Sequence, residues 1–554
     1  MKRLKLPSFA TSRILARPLV RPALYRLRLP SDGQHRHLSP GAWRCCSSHG
    51  AEPADIPRAA ATTTTTIADT TTPAGLETNS KKPIERALSG KHALYGLKPE
   101  SPGSPVLYVN GTRIFNRLVE FLRAQYTLYG YQEVNTPLMY KNALWRQSGH
   151  LENFADDMFQ IVNRKERHAL GRAMDEDERF SLKPMNCPGH CLVYQTMNPG
   201  WRELPLRLAE FAPLHRDEVP SALTGLTRVR RFHQDDAHIF CRPEQIQEEV
   251  TATLAMLDTV YAVFGMTDYK FLLSTRPESK YVGTEEEWAR AEDALKGCLA
   301  ATGREWTVNA GDGAFYGPKI DVILKDAKGR YHQTATVQLD FQLPRKFELV
   351  YKTPQVGSHS SKDGKAATEV EEQAEQAEQE IEGRNEKIEE ERIEEKVEGE
   401  IEGKAKSQYE NLLEQGFEVP VIVHRALFGS LERFMALLIE RYGVRWPFWL
   451  SPHQAVVIPT SGKPEVLAFA QQSLGARTFY VDVMDSEQKG LRKKLALAKT
   501  SGAYNVVVVL GPAEARDGLL KYEVYREGKY VQAEERLTPA ELYARFMEME
   551  REFQ

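Results

Sequence analysis

Residues 228–240, which read RVRRFHQDDAHIF, carry the side-chain pattern best suited to do chemistry. Successive side chains of a strand point to opposite faces, so Gln234, Asp236 and His238 would share one face. An amide, a carboxylate and an imidazole in a row predict the floor of a polar pocket, not part of an apolar core. There the carboxylate can bind an ammonium group and the imidazole a metal ion. A solvated sheet face is the alternative interpretation.

Two further residues could complete a metal site. Cys187 lies in KPMNCPGH and His424 lies in VIVHRALFGSLERF. With His238 they would give three protein ligands and one open position, as in a zinc site that binds an exchangeable ligand. The competing candidates are His190, Cys191 and Cys241. Spacing alone does not choose among them, and a cysteine with apolar neighbours is more often a core residue.

Arginine residues form a second pattern. Arg216 and Glu218 lie in FAPLHRDE, predicted to be a strand that runs into a loop and returns through Arg228. An arginine at such a junction can bind a phosphate through two parallel hydrogen bonds. The apolar spacing from Leu427 onward predicts a helix, with Arg433 about two and a half turns from His424. An ordinary surface arginine is the alternative there.

Composition excludes several protein classes. Of the 554 residues, 41% are hydrophobic and 27% charged, which is typical of a globular protein with two to four domains. No run of 18 apolar residues occurs, which argues against a transmembrane helix. Six cysteines are too few for a secreted scaffold built on disulfides.

The net charge of −3 conceals two oppositely charged segments. Residues 1–31 hold eight basic and no acidic residues, a composition typical of an organellar presequence, with an RNA-binding tail as the alternative. Residues 369–402 hold sixteen glutamates and four basic residues and lie in a low-complexity insert at 358–406. The remainder is close to neutral, so any nucleic-acid site would be a local patch.

The spacing of apolar residues predicts the elements that position these side chains. Helices are expected at 112–129 and 243–264, and short alternating segments between residues 131 and 340 predict an antiparallel sheet. After residue 450 we expect strands at 455–459, 478–482, 505–510 and 521–526, and helices at 463–473, 489–499 and 539–552. That alternation is typical of an α/β unit with a largely parallel sheet.

Together these segments closely resemble a threonyl-tRNA synthetase, a class II aminoacyl-tRNA synthetase, in an organellar form. Motifs 1, 2 and 3 of the class resemble residues 112–138, 207–240 and 421–441. The blocks KPMNCPGH, STRPE, GAFYGPKID and TVQLDFQLPRKFEL lie in the family's order.

The resemblance implies an α+β fold and three regions. Residues 1–83 would be a presequence and low-complexity segment. Residues 84–449 would be the class II catalytic domain, an antiparallel sheet flanked by helices, interrupted by the insert at 358–406. Residues 450–554 would be an α/β anticodon-binding domain.

The resemblance also implies roles for individual residues. One zinc ion per subunit would be held by Cys187, His238 and His424, with its open position binding the hydroxyl and amino groups of threonine. The other threonine-binding residues would be Met185, Gln234, Asp236, Tyr316 and Gln338. ATP, with Mg²⁺, would be bound by Arg216, Glu218, Arg228, Gln333, Thr336 and Arg433. The catalytic residues would be Arg216, Arg433 and His150, the last assisting proton removal from the terminal ribose of the tRNA. Glu514 would contact the anticodon.

One geometric condition attaches to this assignment. Gln333 and Gln338 are an odd number of residues apart, so in a regular strand they face opposite ways. Both can line one pocket only if a bulge or bend intervenes.

The expected function is the ATP-dependent attachment of threonine to the 3′ end of its tRNA, through a threonyl-adenylate, in the mitochondrial matrix. The expected partners are threonine, ATP, tRNA(Thr) and a second copy of the chain, bound through the motif 1 region, with no membrane insertion. Residues 1–83 are too few and too polar for the editing domain of proofreading relatives, so we expect no editing of seryl-tRNA. Prolyl- and seryl-tRNA synthetases share the fold, but the Cys–His–His set argues against both. A catalytically inactive, synthetase-like RNA-binding protein is the alternative.

Overall fold

A nine-stranded sheet and a five-stranded sheet organise the chain. The computed structural model describes residues 93–162, 175–279, 281–325, 329–354, 407–473, 478–485, 489–501 and 503–554, all within one compact unit. The predicted presequence region at 1–83 and the acidic insert at 358–406 lie outside the described residues, and both stay predictions.

The strands up to residue 430 are mostly short. In chain order they are β1 (Tyr95–Gly96), β2 (Val106–Leu107), β3 (Gln132–Glu133), β4 (Met139–Lys141), β5 (Gln160–Ile161), β6 (Phe180–Leu182), β7 (Leu206–Glu210), β8 (Pro213–His215), β9 (Arg231–Cys241), β10 (Tyr269–Ser274), β11 (Trp306–Asn309), β12 (Lys319–Lys325), β13 (Tyr331–Asp340), β14 (Tyr351–Lys352), β15 (Phe417–Glu418) and β16 (Val421–Ser430). The α-helices of the same part are α1 (Val109–Leu128), α2 (Asn142–Ser148), α3 (His150–Phe154), α4 (Cys187–Met197), α5 (Ile246–Val263), α6 (Glu285–Ala301), α7 (Leu343–Lys346), α8 (Gln408–Glu414) and α9 (Leu431–Tyr442).

The nine-stranded sheet is almost entirely antiparallel. Its order is β11-β10-β12-β13-β16-β9-β7-β3, and β8 pairs with β9. Only two of its strand pairs, β10 with β11 and β3 with β7, are parallel. The antiparallel sheet predicted between residues 131 and 340 is therefore present, and β16 is inserted between β13 and β9.

Helices cover one face of this sheet. Ile114, Leu118 and Leu122 recur every four residues on α1, and all three are fully buried. They belong to an apolar core that also takes in residues of α5, α9 and the alternate β9 residues Ala237 and Ile239. Because side chains alternate along a strand, the even-numbered residues of β9 face the opposite side, where the polar pocket was predicted.

The start of α9 differs from the prediction. β16 continues to Ser430, so Arg433 lies in the first turn of α9, not two and a half turns into a helix. Leu427, which fits the helical spacing, belongs to the strand and is buried in the main core. A buried strand end and a helix start satisfy the same apolar spacing, so the pattern could not separate them.

The five-stranded sheet is built after residue 450. Its strands are β17 (Ala455–Pro459), β18 (Val481–Val483), β19 (Val506–Leu510), β20 (Lys521–Arg526) and β21 (Lys529–Gln532), in the order β18-β17-β19-β20-β21. Its helices are α10 (Pro464–Ser473), α11 (Leu491–Ala496), α12 (Pro512–Asp517) and α13 (Pro539–Arg551). The three strands β18, β17 and β19 are parallel, whereas β20 and β21 pair in the antiparallel sense. The largely parallel sheet predicted from the sequence is therefore parallel in only part of its width.

The polar side of α1 contacts this C-terminal part of the chain. Arg113 donates a hydrogen bond of 2.9 Å to the carbonyl of Pro452, and Arg117 donates one of 2.9 Å to the carbonyl of Thr478. Arg117 also forms an ion pair with Glu550 of α13. None of the helices in the described ranges is both long and apolar enough to cross a membrane.

Candidate active site

The register of three neighbouring strands brings the predicted site residues together. His238 of β9 lies directly opposite His424 of β16, and His424 lies opposite Gln338 of β13. Residues directly opposite each other in an antiparallel sheet project from the same face. The next residues on that face are Asp236 of β9 and Thr336 of β13. The predicted polar floor is therefore a continuous patch across three strands.

A candidate metal site lies on this patch. Cys187, at the start of α4, places its sulfur above the two histidines, and the ligand atoms of Cys187, His238 and His424 all lie within 4.8 Å of one another. All three side chains are buried. Zinc–ligand bonds of about 2.0–2.3 Å place tetrahedral ligands about 3.3–3.8 Å apart, so a modest closure of the cluster fits zinc.

The competing ligand candidates have other partners. Cys191 and Cys241 are fully buried in apolar clusters. The Nδ1 atom of His190 lies 2.8 Å from Nδ1 of His238. In the part of the chain that the structure describes, Cys187, His238 and His424 are the only group of this kind with metal-binding spacing.

Two polar side chains that the sequence did not single out orient the site. The Oδ2 atom of Asp340 lies 2.9 Å from Nε2 of His424, while its Oδ1 accepts backbone hydrogen bonds from Gln342 (2.7 Å) and Leu343 (3.0 Å). Because a carboxylate used in this way only accepts, Nε2 of His424 carries the proton and its Nδ1 lone pair is left for a metal. Asn186 donates a 3.0 Å hydrogen bond to Oδ2 of Asp236.

The predicted threonine-binding residues surround the metal candidate. The Tyr316 ring lies 5.0 Å from the His424 ring, and its hydroxyl donates a hydrogen bond to the side-chain oxygen of Gln338. Burial raises the pKa of the Asp236 carboxyl, because the ionised form is deprived of water there. An amino group that donates a hydrogen bond to Asp236 would replace part of that lost solvation. Met185 lies at the rim, and its sulfur is 3.2 Å from Nε2 of His150.

A bulge in β13 meets the geometric condition on the two glutamines. Ala335 pairs with Val322, but the next pair along is Gln333 with Ile323, so Thr334 is the extra residue. The bulge reverses the alternation, and both Gln333 and Gln338 line the same cavity.

That cavity gathers the predicted nucleotide-binding side chains. It is lined by Arg216, Glu218, Arg228, Gln333, Thr336 and Arg433, and also by Gln234 and Gln338, which were predicted to bind threonine. Gln338 also lies opposite His424 in the sheet, so the cavity and the metal candidate lie next to each other on the same sheet face.

Three arginines make the cavity strongly positive. The Arg216 guanidinium lies between the rings of Phe154 and Phe232, 5.4 Å and 5.1 Å from their centroids. Arg433 is held by hydrogen bonds to the carbonyls of Thr227 (3.0 Å) and Gln333 (3.1 Å). Burial lowers the pKa of both guanidinium groups, and the charges of Arg216 and Arg228 lower that of Arg433 further.

These arginines stay protonated, since a guanidinium does not titrate in proteins. Their mutual repulsion in a partly buried cavity is relieved by a bound anion. Arg228 is already paired with Glu218, at 2.7 Å. The unpaired positive charge is therefore carried by Arg216 and Arg433, which suits a phosphate.

His150 is fully buried beside the metal candidate, with Nε2 3.9 Å from the sulfur of Cys187 and Nδ1 2.8 Å from Oγ of Ser148. Burial lowers its pKa to about 3, and the positive charges of neighbouring Lys346 and Arg216 lower it further. The imidazole is accordingly neutral.

Glu514 lies in the first turn of α12, away from this site. Its carboxylate accepts a hydrogen bond of 3.0 Å from the backbone N–H of Gly511 and caps its own helix. Lys521 lies 4.0 Å away. Glu523, on β20, forms an ion pair with Lys499.

Comparisons with known proteins show the family of the chain. The family model described as the class II core domain of tRNA synthetases (G, H, P, S and T) matches residues 170–362. A probable mitochondrial threonine–tRNA ligase of Schizosaccharomyces pombe is 39% identical over 454 residues, which cover 78% of this chain and 83% of the relative. The mitochondrial threonine–tRNA ligase of Saccharomyces cerevisiae is 36% identical, over 84% of this chain and 91% of the relative. The chain belongs to the threonyl-tRNA synthetase family.

Solved structures support the same assignment. A crystal structure titled as the RNA-binding domain of the Cryptosporidium parvum threonyl-tRNA synthetase is 38% identical, covers 82% of this chain and 96% of its own, and superposes with a TM-score of 0.66. The predicted class II fold and the predicted enzyme class, a threonine–tRNA ligase, are thereby confirmed. The chain spans about half the length of the curated cytoplasmic relatives that it matches. The alternative, an inactive RNA-binding relative, gains no support, since none of the residues it would have lost is missing.

Several residues of this synthetase site could not be found from the sequence. Asp340 ends a strand that reads as apolar, and Asn186 precedes a cysteine that draws attention first, whereas His190 was considered only as a competing metal ligand. Asp340 could have been sought as a partner of His424, since a metal-binding histidine usually donates its other N–H to a carboxylate or carbonyl.

Proposed function

We propose that this synthetase attaches threonine to the 3′ end of tRNA(Thr) in two steps, through a threonyl-adenylate, for translation in the mitochondrial matrix. The observation that carries the proposal is that Gln338 lines the arginine-lined cavity and lies opposite His424 of the Cys187–His238–His424 cluster, so that cavity and cluster adjoin on one sheet face. A nucleotide bound in the cavity would present its α-phosphate towards an amino acid bound at the cluster.

In the first step the threonine carboxylate attacks the α-phosphorus of ATP. A bond forms between a carboxylate oxygen and phosphorus, and the bond to the oxygen of the leaving pyrophosphate breaks. Arg216, whose guanidinium is fixed between two aromatic rings, would bind the α-phosphate and the carboxylate and stabilise the charge that develops. Arg433 would bind the nucleotide from the other side, with Glu218, Arg228, Gln333 and Thr336 around the base, ribose and phosphates. Mg²⁺ would accompany ATP.

Cys187, His238 and His424 fit one zinc ion per subunit, because they offer a thiolate and two imidazole nitrogens in a closed, buried cluster. A zinc ion held there would bind the hydroxyl and amino groups of threonine. Asp236 would pair with the amino group, and Gln234, Gln338, Tyr316 and Met185 would enclose the remainder of the substrate.

This arrangement predicts an uneven specificity. Valine has the shape of threonine but no hydroxyl, so it is rejected by a site built around polar contacts. Serine keeps the hydroxyl and differs by one methyl group, worth about 0.8–1 kcal/mol of burial. Discrimination against serine is therefore the weaker of the two.

In the second step the 3′-hydroxyl of the terminal adenosine attacks the threonyl carbonyl and AMP leaves. We assign assistance in removing the hydroxyl proton to His150, on the family resemblance and on its position beside the cluster. Residues 450–554 would read the anticodon loop, where unstacked bases can be recognised directly. Glu514 is carried over as an anticodon contact by resemblance, and it would have to leave its capping bond to make that contact.

The cellular setting is part of the same proposal. The basic, acid-free residues 1–31 and the mitochondrial relatives support import and removal of a presequence within residues 1–83. A homodimer through the motif 1 region, residues 112–138, is proposed on the family resemblance.

The test is threonylation by the purified full chain, together with its zinc content. We expect charging of tRNA(Thr) with threonine, no charging with proline, and about one zinc per chain. A folded protein that retains zinc but charges no tRNA(Thr) would overturn the proposal.

A further inference from the structure

The structure assigns to Glu210 and His190 a relay that fixes which nitrogen of His238 faces the proposed zinc. This inference rests on the proposed zinc site and names residues to which the family resemblance gave no role. His190 was a competing ligand candidate in the sequence, but its geometry gives it a positioning role.

The relay is a chain of buried hydrogen bonds that leads away from the cluster. Nδ1 of His238 lies 2.8 Å from Nδ1 of His190, and Nε2 of His190 lies 3.2 Å from Oε2 of Glu210. Glu210 lies 3.0 Å from the ammonium group of Lys183, and Thr136 binds it through both its backbone N–H (2.8 Å) and its hydroxyl (2.9 Å). The side chains of Lys183, His190, Glu210 and His238 are all at most 1% exposed.

The positions of the protons follow from Glu210, at the end of this series of hydrogen bonds farthest from the cluster. The backbone N–H of Thr136 and the ammonium group of Lys183 can only donate, so Glu210 is an acceptor on every side. Nε2 of His190 must therefore carry a proton and donate it to Glu210. Because Lys183 already balances the charge of Glu210, no second cation is needed from His190, and its Nδ1 lone pair accepts from Nδ1–H of His238.

The consequence is a single tautomer of His238. With its proton on Nδ1, its lone pair is on Nε2, the atom left free for a metal. Asp340 acts on His424 in the opposite sense, holding the proton on Nε2 and leaving Nδ1 free. The two histidines would therefore bind zinc through different nitrogens, each fixed by its own carboxylate, one directly and one through His190.

Three residues of this arrangement lie within the block KPMNCPGH, residues 183–190. Lys183 balances the charge of Glu210, Cys187 supplies the thiol ligand, and His190 follows three residues later on the first turn of α4. Gly189 lies between them because a Cβ there would lie 2.8 Å from the hydroxyl of Tyr140 and 3.0 Å from that of Thr136. That crowding would push the hydroxyl of Thr136 off Glu210.

Two substitutions of His190 separate the relay from a merely structural role. In His190→Asn the side-chain oxygen can take the place of Nδ1 and still accept from His238. In His190→Gln the amide reaches the place of Nε2, so it contacts Glu210 but leaves His238 without an acceptor. Both variants are polar and smaller than histidine, so each controls for the packing effect of the other.

The experiment measures zinc content and the rate of zinc loss to a chelator in the full chain. Loss of the hydrogen-bond partner that orients a metal-binding histidine typically weakens metal binding about 10–100-fold. We expect that loss in His190→Gln and retention within about threefold of wild type in His190→Asn. Cobalt-substituted His190→Asn should keep the wild-type absorption spectrum, because no metal ligand has been removed.

The results distinguish failure of the relay from failure of the site. Wild-type protein that binds no zinc overturns the zinc proposal and the relay with it. If the wild-type protein contains zinc and the two variants lose zinc at the same rate, the relay alone is overturned. If the cobalt absorption spectrum differs from that of wild type in both variants, His190 is a metal ligand instead.

If the variants do not fold, a measurement on the wild-type protein tests the relay. In zinc-loaded full chain labelled with ¹⁵N-histidine, the relay requires one histidine bound through Nε2 and one through Nδ1. Two histidines bound through the same nitrogen would contradict it.

Discussion

A single methyl group added at Gly429 should weaken ATP binding selectively. Gly429 has a φ of +63°, and a Cβ built on it would lie 2.7 Å from the carbonyl oxygen of Thr334. Carbon–oxygen contacts in proteins are usually about 3.3–3.6 Å, so the Thr334 carbonyl must move by about 0.6 Å or more. Thr334 is the bulge residue that turns Gln333 into the cavity, and the carbonyl of Gln333 accepts a hydrogen bond from Arg433 at 3.1 Å.

The magnitude follows from two separate costs. A non-glycine residue in the left-handed region costs about 1–2 kcal/mol of folding free energy. Loss of the Arg433 hydrogen bond, which involves a charged donor, costs about 1.5–3 kcal/mol. The second cost falls on the nucleotide site and corresponds to a roughly 10–100-fold rise in the KM for ATP.

Gly518 offers a matched control. Its φ is +69°, and nothing lies within 4 Å of a Cβ built on it, so Gly518→Ala carries the backbone cost without the clash. The assay is ATP–pyrophosphate exchange with threonine, measured over a range of ATP concentrations. We expect a raised KM for ATP and retained zinc in Gly429→Ala, and wild-type kinetics in Gly518→Ala. A wild-type KM for ATP in Gly429→Ala would refute the reasoning.

Three further outcomes are expected. Cys187→Ser should lose zinc and threonine activation together, measured by metal analysis and exchange; an active, metal-free variant would exclude the zinc site. Asp235→Ala should lower the free energy of unfolding, measured by denaturant titration, by about 3–5 kcal/mol, because it removes the buried carboxylate 4.0 Å from buried Arg425. The same substitution at Asp258, which is ion-paired but half-exposed, should lower it by at most about 1 kcal/mol. Equal losses in the two variants would contradict the account. Deleting residues 358–406 should leave adenylate formation nearly intact, and a large fall in exchange would show that the acidic insert has a catalytic role.

Local patterns predicted the parts of this site that depend on one strand at a time. The alternation of Gln234, Asp236 and His238 along β9 identified the polar face, and their burial on that face agrees with it. The ligand set could not be chosen in the same way. It depends on β16 lying beside β9 with His424 opposite His238, a register between strands that are 180 residues apart in the chain.

Irregular backbone was the other source of error. The sequence showed that a bulge was needed between Gln333 and Gln338, but not that Thr334 would form it. The start of α9 was misplaced because the apolar residues of β16 continue into the helix without a break. Residues that act through another side chain, such as Asp340 and Glu210, have no spacing that marks them, because their roles arise only when the sheet is assembled.

The most direct test of the central claim is ATP–pyrophosphate exchange by the full chain with threonine, serine and valine. The account predicts fast exchange with threonine, weaker exchange with serine and none with valine, because the site selects the hydroxyl first and the methyl group second. No exchange with threonine in folded, zinc-containing protein would contradict the proposed activity. Equal exchange with valine would contradict the part given to the cluster of Cys187, His238 and His424.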